Sequence, residues 1–360
     1  MKKILFLAAV TLAAASCLKD ETVVVETPQE LTFKPMARVT TKADAQHEGT
    51  WLREDYRIYA SATQKKADGT IENPAYFNEK AFDTETAAAG AQYHAWDEDA
   101  DVVAPIYWPI GGCQLDYIAY AMPVEAHTTP AGEGPVATYE NVTTDVASHL
   151  AFKGWDTYKN QVDVLYAVKN ETTTEDNAGT ETVLLEFKHA QALLVFEAKV
   201  NLEHVLQINQ IKMDGLLVKG DFVVDNTKNN LVVTWDAAPV ANEDIVAPGA
   251  TPEDDNIHSY VETEDPTADE SEYLDNTADF EQVGSTLLVP QQPALNFVVT
   301  YHVSGKEMTY EYNNTRAAWE MGKKYVYQLD FTLNEVVVTE TVADYEDVRG
   351  EDAGAIIPLN

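Results

Sequence analysis

The chain has 360 residues, with 60 Asp and Glu against 24 Lys and Arg and a formal net charge of −36. That excess of negative charge repels the phosphate backbone of DNA and RNA and gives no hold on an anionic lipid surface, so nucleic acid is excluded as a partner. Only two cysteines are present. One of them, Cys17, is expected to be lipidated, which leaves Cys113 as the other thiol, so no internal disulfide is expected and stability must come from burial, in a chain long enough for two ordinary domains.

Lys2 and Lys3 precede an apolar run from Ile4 to Ala15, and the small residues Ala14, Ala15 and Ser16 lead to Cys17. The run is too short to span a bilayer as a helix and reads as a secretory signal covering residues 1–16. Small residues before a cysteine at the end of such a run predict a bacterial lipobox. Cleavage between Ser16 and Cys17 would leave Cys17 as an acylated N-terminus, although Ala14 stands where a leucine is usual. An incidental cysteine beside an ordinary cleavage site is the blander reading. Residues 18–30 look like a tether that leads into a first strand, "LTFK".

Short alternating apolar runs follow, separated by Gly, Pro, Asn and Asp clusters, the pattern of antiparallel sheets packed as sandwiches. "YRIYASA" (56–62), "LDYIAYAM" (115–122) and "VDVLYAV" (162–168) are of this kind. "YVYQLDFTL" (325–333) is the cleanest, with Tyr325, Tyr327, Leu329, Phe331 and Leu333 on one face. Ala192 to Met213 fits a helix by apolar density, but its β-branched and aromatic content favours strands. Residues 236–283 contain fifteen Asp or Glu and no Lys or Arg, which predicts a solvated insertion. The last residues form a tail with a small apolar end.

No local motif for catalysis is present: no H-E-x-x-H, no G-x-S-x-G, no phosphate-binding glycine loop. The eight histidines never come closer than fifteen residues. Cys113 has no signature of a thiol nucleophile and reads as a turn or core residue. "DEDAD" (97–101) has the first spacings of a calcium loop but Val102 and Trp108 where glycine and glutamate are needed. The chain is therefore expected not to be an enzyme, and no metal or cofactor is expected.

The series "YWPIGGCQLDYIAYAMP" (107–123), "QVDVLYA" (161–167), "LLEFKHAQALLVFEAKV" (184–200), "LLVPQQ" (287–292) and "WEMGKKYVYQLDFTL" (319–333) resembles, in family order, the fimbrillin-like surface lipoproteins of Gram-negative anaerobes. The resemblance implies an all-β fold of two tandem transthyretin-like β-sandwich domains. It divides the chain into a lipidated tether and displaceable strand at 17–38, an N-terminal sandwich at 39–186, a C-terminal sandwich at 187–345 with the insertion 236–283, and a tail at 346–360. It also makes Lys19, Asp20 and Glu21 an export signal to the outer leaflet; a plain hydrophilic tether is the alternative.

By the same resemblance the function is that of a fimbrial stalk or tip subunit in the outer membrane or an assembled fimbrium. Its partners are copies of itself or other subunits, with membrane lipid held through Cys17. A trypsin-like protease cuts such precursors after an arginine, here between Arg38 and Val39. The cut frees an N-terminal edge strand carrying Leu31 and Phe33, and a strand from the next subunit fills the gap. The expected donor is "NEVVVTETV" (334–342), with Val336, Val338 and Val342. The alternative function is a non-polymerising surface lipoprotein that binds a host protein or glycan, with Trp51, Trp96, Trp108, Trp155, Trp235 and Trp319 as candidate stacking residues.

Overall fold

The computed structural model describes residues 29–37, 56–84, 91–109, 113–127, 135–138, 147–157, 160–172, 182–200, 206–213, 216–227, 231–238, 245–246, 280–291, 296–303, 306–313, 318–332 and 335–344. Its first strands are β1 (Thr32–Ala37), β2 (Tyr56–Lys65), β3 (Ile71–Asp83), β4 (His94–Asp97), β5 (Val102–Val103) and β6 (Gln114–Pro123). A single helical turn, α1 (Val124–His127), precedes β7 (Ala137–Thr138), β8 (His149–Asp156), β9 (Leu165–Thr172) and β10 (Thr182–His189). Then come β11 (Ala192–Val200), β12 (Leu206–Met213), β13 (Lys219–Asp225), β14 (Val232–Ala238) and β15 (Ile245–Val246). The last five are β16 (Glu281–Leu288), β17 (Phe297–Val303), β18 (Lys306–Tyr312), β19 (Lys323–Phe331) and β20 (Val336–Asp344).

The fold is all-β, as the alternating runs predict. An eight-stranded sheet has the order β1-β10-β9-β6-β2-β3-β4-β5. Its central strands are buried on both faces. In β6, Leu115, Tyr117, Ala119 and Ala121 join one apolar cluster with Ile58, Ala60, Phe82 and Phe33. The intervening Ile118, Tyr120 and Met122 join another with Leu150, Phe152, Trp155, Phe222 and Val224. Two-sided burial explains why "LDYIAYAM" is apolar at nearly every position rather than at every second one.

The second cluster is covered by a four-stranded sheet of order β14-β13-β8-β7. Strand pairing therefore does not follow the division expected at residue 187. The β13–β14 hairpin comes from beyond it, yet β13 pairs antiparallel with β8 from Asp225↔His149 to Lys219↔Asp156. The physical reason is burial: Phe222 and Val224 find their apolar partners under β6 and β8, which sequence order cannot reveal.

Two further sheets, β16-β11-β19-β20 and β15-β12-β17-β18, enclose a third core. Ala192–Met213 forms the strands β11 and β12, as its β-branched content favours. β11 is held antiparallel by β16 and parallel by β19. Tyr325, Tyr327, Leu329 and Phe331 of β19 all face this core, with each intervening residue half-buried. The link between β10 and β11 is tied down on several sides. His189 Nδ1 lies 2.9 Å from Asp163 Oδ1 with both side chains buried, Trp235 Nε1 donates to Ala190 O, and Gly322 N donates to Gln191 O. Gln161 also reaches the third core's sheet, donating to Leu287 O and accepting from Leu287 N.

Candidate functional site

The site is the place occupied by β1. "ELTFKPMA" alternates, so one face carries Leu31, Phe33 and Pro35, and all three are buried. Phe33 packs edge-on against Phe82 at 4.4 Å and Tyr117 at 5.4 Å between ring centroids. Deep burial pushes the Tyr117 phenol well above its ordinary pKa. On the other face the Thr32 and Thr182 hydroxyls hydrogen-bond at 2.9 Å, and Gln92 Nε2 donates to Thr182. Two fully buried apolar side chains of this size stabilise the strand's seat by about 1.5–3 kcal/mol each.

Hydrogen bonding corrects the expectation that this strand lies at a sheet edge. β1 pairs parallel with β10 from Thr32↔Thr182 to Ala37↔Phe187. Its other side is bonded as well: Leu31 N donates to Ile106 O, Phe33 N to Tyr93 O, Tyr93 N to Phe33 O, and Trp108 N to Gln29 O, all at 2.8–2.9 Å. His94 Nδ1 also lies within hydrogen-bonding distance of Glu30 Oε1, at 2.9 Å. The sheet thus curls until its first strand meets the far end, because only closure buries Leu31 and Phe33 together with Phe82, Tyr93 and Ala95. Pro35 has no N–H, so the bonds donated toward the 93–106 side stop at Phe33.

Removing β1 would leave backbone groups on β10 and at Tyr93 and Ile106 without partners, above an interior lined by aromatic rings. This arrangement can hold an extended strand. Its walls come from residues about 25 to 150 positions away from β1 in sequence. No short motif marks them; Leu31 and Phe33, by their alternation, were the one legible part.

The other expected site residues fall in two groups. Ser16, Cys17, Lys19, Asp20, Glu21, Arg38 and Val39 lie outside the described residues, although β1 ends at Ala37, immediately before Arg38. Val336, Val338 and Val342 are described, and all three lie on β20. That strand pairs antiparallel with β19 over nine residues, from Val336↔Phe331 to Asp344↔Lys323. Val336 is buried in the third core, Val338 packs against it, and Val342 is 41% exposed.

Other candidate features are structural. Gln64 donates to the Cys113 thiol at 3.2 Å. "DEDAD" forms the turn between β4 and β5, where Asp97 accepts from the backbone N–H of Asp99 and Ala100. Trp108, Trp155 and Trp319 are buried, Trp96 and Trp235 partly so, and Trp51 lies outside the described residues. Glu79 sits at a bulge in β3 with φ of 46° and accepts from the Tyr120 hydroxyl. Burial pushes the Glu79 carboxyl up, against the opposing effect of that hydrogen bond. Among the described residues no group of three or more His, Cys, Asp or Glu could hold a metal, and no helix is long and apolar enough to cross a membrane.

No curated protein sequence matches the chain. Among solved structures, a fimbrial protein from Bacteroides vulgatus is 12% identical, with a TM-score of 0.54 over 88% of this chain and 99% of that one. A protein from Bacteroides ovatus described as a cell adhesion protein is 16% identical, with a TM-score of 0.52 over 89% and 98%. At these identities the likeness is one of fold. Residues 38–344 match the fimbrillin-like family as a whole, beginning one residue after β1 and ending with β20. By that match over most of its length, the chain belongs to the fimbrillin-like family.

Proposed function

We propose that the protein is a fimbrial subunit exported as a lipoprotein and assembled by strand exchange at the place of β1. Family membership already makes it a structural, non-enzymatic protein of the cell surface or fimbria that associates with other fimbrial subunits. In the fuller reading, Cys17 carries the acyl chains that deliver the precursor to the outer membrane, and Lys19, Asp20 and Glu21 direct it to the outer leaflet. A protease then cuts between Arg38 and Val39, and β1 leaves. A C-terminal segment of a neighbouring subunit takes the vacated place, restoring main-chain bonds on both sides and burying alternate side chains. The contact is head to tail, so it propagates as a filament rather than closing as a dimer.

One observation carries this reading. An apolar strand, bonded on both sides and buried at Leu31, Phe33 and Pro35, ends one residue before an arginine. The same strand is joined to the strands that follow it in sequence only through Arg38, so after a cut there non-covalent contacts alone hold it in the sheet.

The test is a gel comparison of purified precursor with and without an Arg-specific protease, boiled and unboiled, with band N-termini read by mass spectrometry. The expected result is a heat-sensitive ladder that begins at Val39 and is absent from an Arg38→Ala variant. A monomer band despite cleavage at Arg38 would exclude polymerisation by this route. Loss of acylation in a Cys17→Ser variant, read by the mass of the N-terminal peptide, checks the lipid anchor.

A further inference from the structure

One polar atom beneath β1 is left without a partner. Tyr117 is fully buried in the cluster that also holds Leu31 and Phe33, and its hydroxyl makes no hydrogen bond to any described residue. Neighbouring phenols differ: Tyr56 donates to Asp163 O at 3.0 Å, and Tyr76 donates to Tyr107 O. The Tyr117 ring itself is packed, edge-on to Phe33 at 5.4 Å and tilted against Phe77 at 6.3 Å between centroids. Only its oxygen is unsatisfied. A buried donor in that state loses its hydration and gains nothing in exchange.

β1 does not supply the missing acceptor. Its inward side chains are Leu31, Phe33 and Pro35, none of which has a hydrogen-bonding atom. Thr32 lies on the opposite face, bonded to Thr182. The carbonyls serve the flanking segments, as Phe33 O does in accepting from Tyr93 N. The wall beside the phenol is equally poor, since Ala62 stands opposite Tyr117 in the ladder of β2 with β6.

The hydroxyl lies toward the Leu31 end of the seat. Burial first, then the nearness of the Tyr76 phenol and the Asp116 carboxylate, pushes the Tyr117 phenol well above its ordinary pKa, so it stays a protonated donor. Tyr76 in turn reaches Tyr107 O, and Tyr107 stands opposite Glu30, the residue before Leu31. An occupant with asparagine at the Leu31 position would keep nearly the outline of leucine and add an acceptor.

Resting on the strand-exchange reading above, we infer that the Tyr117 hydroxyl weakens the hold on β1 and selects an occupant that carries an acceptor side chain at the Leu31 position. β1 fills the seat by shape but leaves its one polar atom unpaired. The partner so recognised is an extended strand, apolar at two alternate positions and carrying Asn, Gln, Ser or Thr at the third.

The experiment follows the full chain after cleavage at Arg38 by an Arg-specific protease. The N-terminal segment that leaves is separated by gel filtration at successive times and identified by mass. Four forms are compared: the natural chain, Tyr117→Phe, Leu31→Asn, and both substitutions together. Tyr117→Phe is expected to slow release about ten-fold, because it removes the unpaired donor and keeps the ring. Leu31→Asn is expected to speed release about five-fold more in the Tyr117→Phe background than in the natural one, where the hydroxyl can donate to the new amide. Unchanged or faster release from Tyr117→Phe would overturn the inference, as it would if a water enclosed with β1 already satisfied the hydroxyl. Equal effects of Leu31→Asn in both backgrounds would overturn the selection for an acceptor. Denaturation of the uncut chains separates the inference from the reading it rests on. If no form releases its segment after the cut, strand exchange falls. A higher denaturation midpoint for Tyr117→Phe would then still support the penalty on β1, and an equal or lower one would overturn that as well.

Discussion

Phe33 concentrates the energetics of the site. It is fully buried, edge-on to two aromatic rings, and it donates to and accepts from Tyr93 through its backbone. Truncation to alanine keeps the backbone bonds and removes the ring, so the loss combines transfer and cavity terms. Phe33→Ala is expected to destabilise the uncut precursor by about 3–5 kcal/mol, read by chemical denaturation. The same substitution is expected to leave the stability of the cut chain unchanged once β1 has been removed, because the residue is then absent. A loss below about 1 kcal/mol in the uncut precursor would show that the Phe33 ring contributes little to the seat of β1. His189 is a second case of a residue whose role depends on its surroundings. In the sequence it is part of a Phe-x-His-Ala stretch; in the structure it is a buried partner of Asp163 beside the turn from β10 into β11, a role no spacing rule would assign.

At the scale of elements, β1 differs from every other strand in how it is joined to the rest. It lies parallel to a strand 150 residues later in the chain, and its other side is closed by residues that flank β4 and β5 rather than by a long strand. The bond series on that side stops at Pro35. In the strand-exchange reading, this element leaves as a unit after its covalent link is cut. After cleavage at Arg38 and removal of β1, hydrogen exchange is expected to accelerate along β10 and at Tyr93. Exchange in β11, β16 and β19 is expected to stay at precursor rates. Acceleration throughout the molecule would mean instead that β1 is needed for the whole fold. β20 is the contrasting element, an edge strand whose inner valines belong to its own core.

For the whole molecule, charge sets the conditions of assembly. The full chain carries a formal charge of −36 and the chain cut after Arg38 carries −37, because residues 1–38 hold five Lys or Arg against four Asp or Glu, so bringing two copies together is opposed by repulsion that salt screens within about 10 Å at 0.1 M. Ladder formation by the cut subunit is therefore expected to be several-fold faster at 0.15 M than at 0.01 M monovalent salt, followed by unboiled gel bands over time. A rate that falls with salt would point to attraction between oppositely charged surfaces as the driver. Solubility of the precursor follows from the same charge.

Local pattern was enough to read the all-β class, the strands from "YRIYASA" to "YVYQLDFTL", and the alternation of Leu31 and Phe33, because a two-residue period is a property of consecutive residues. Charge argues against nucleic acid, and the small residues before Cys17 give export as an expectation. What only the tertiary structure decided was pairing between distant segments: β1 beside β10 and closed against Tyr93 and Ile106, the β13–β14 hairpin under β8, and β20 held by β19. Main-chain hydrogen bonds are nearly the same whichever residues make them, so the sequence marks which faces are apolar but not which strands meet. That choice falls to the burial of side chains such as Phe33 and Phe222, and it appears only when the whole chain has closed around them.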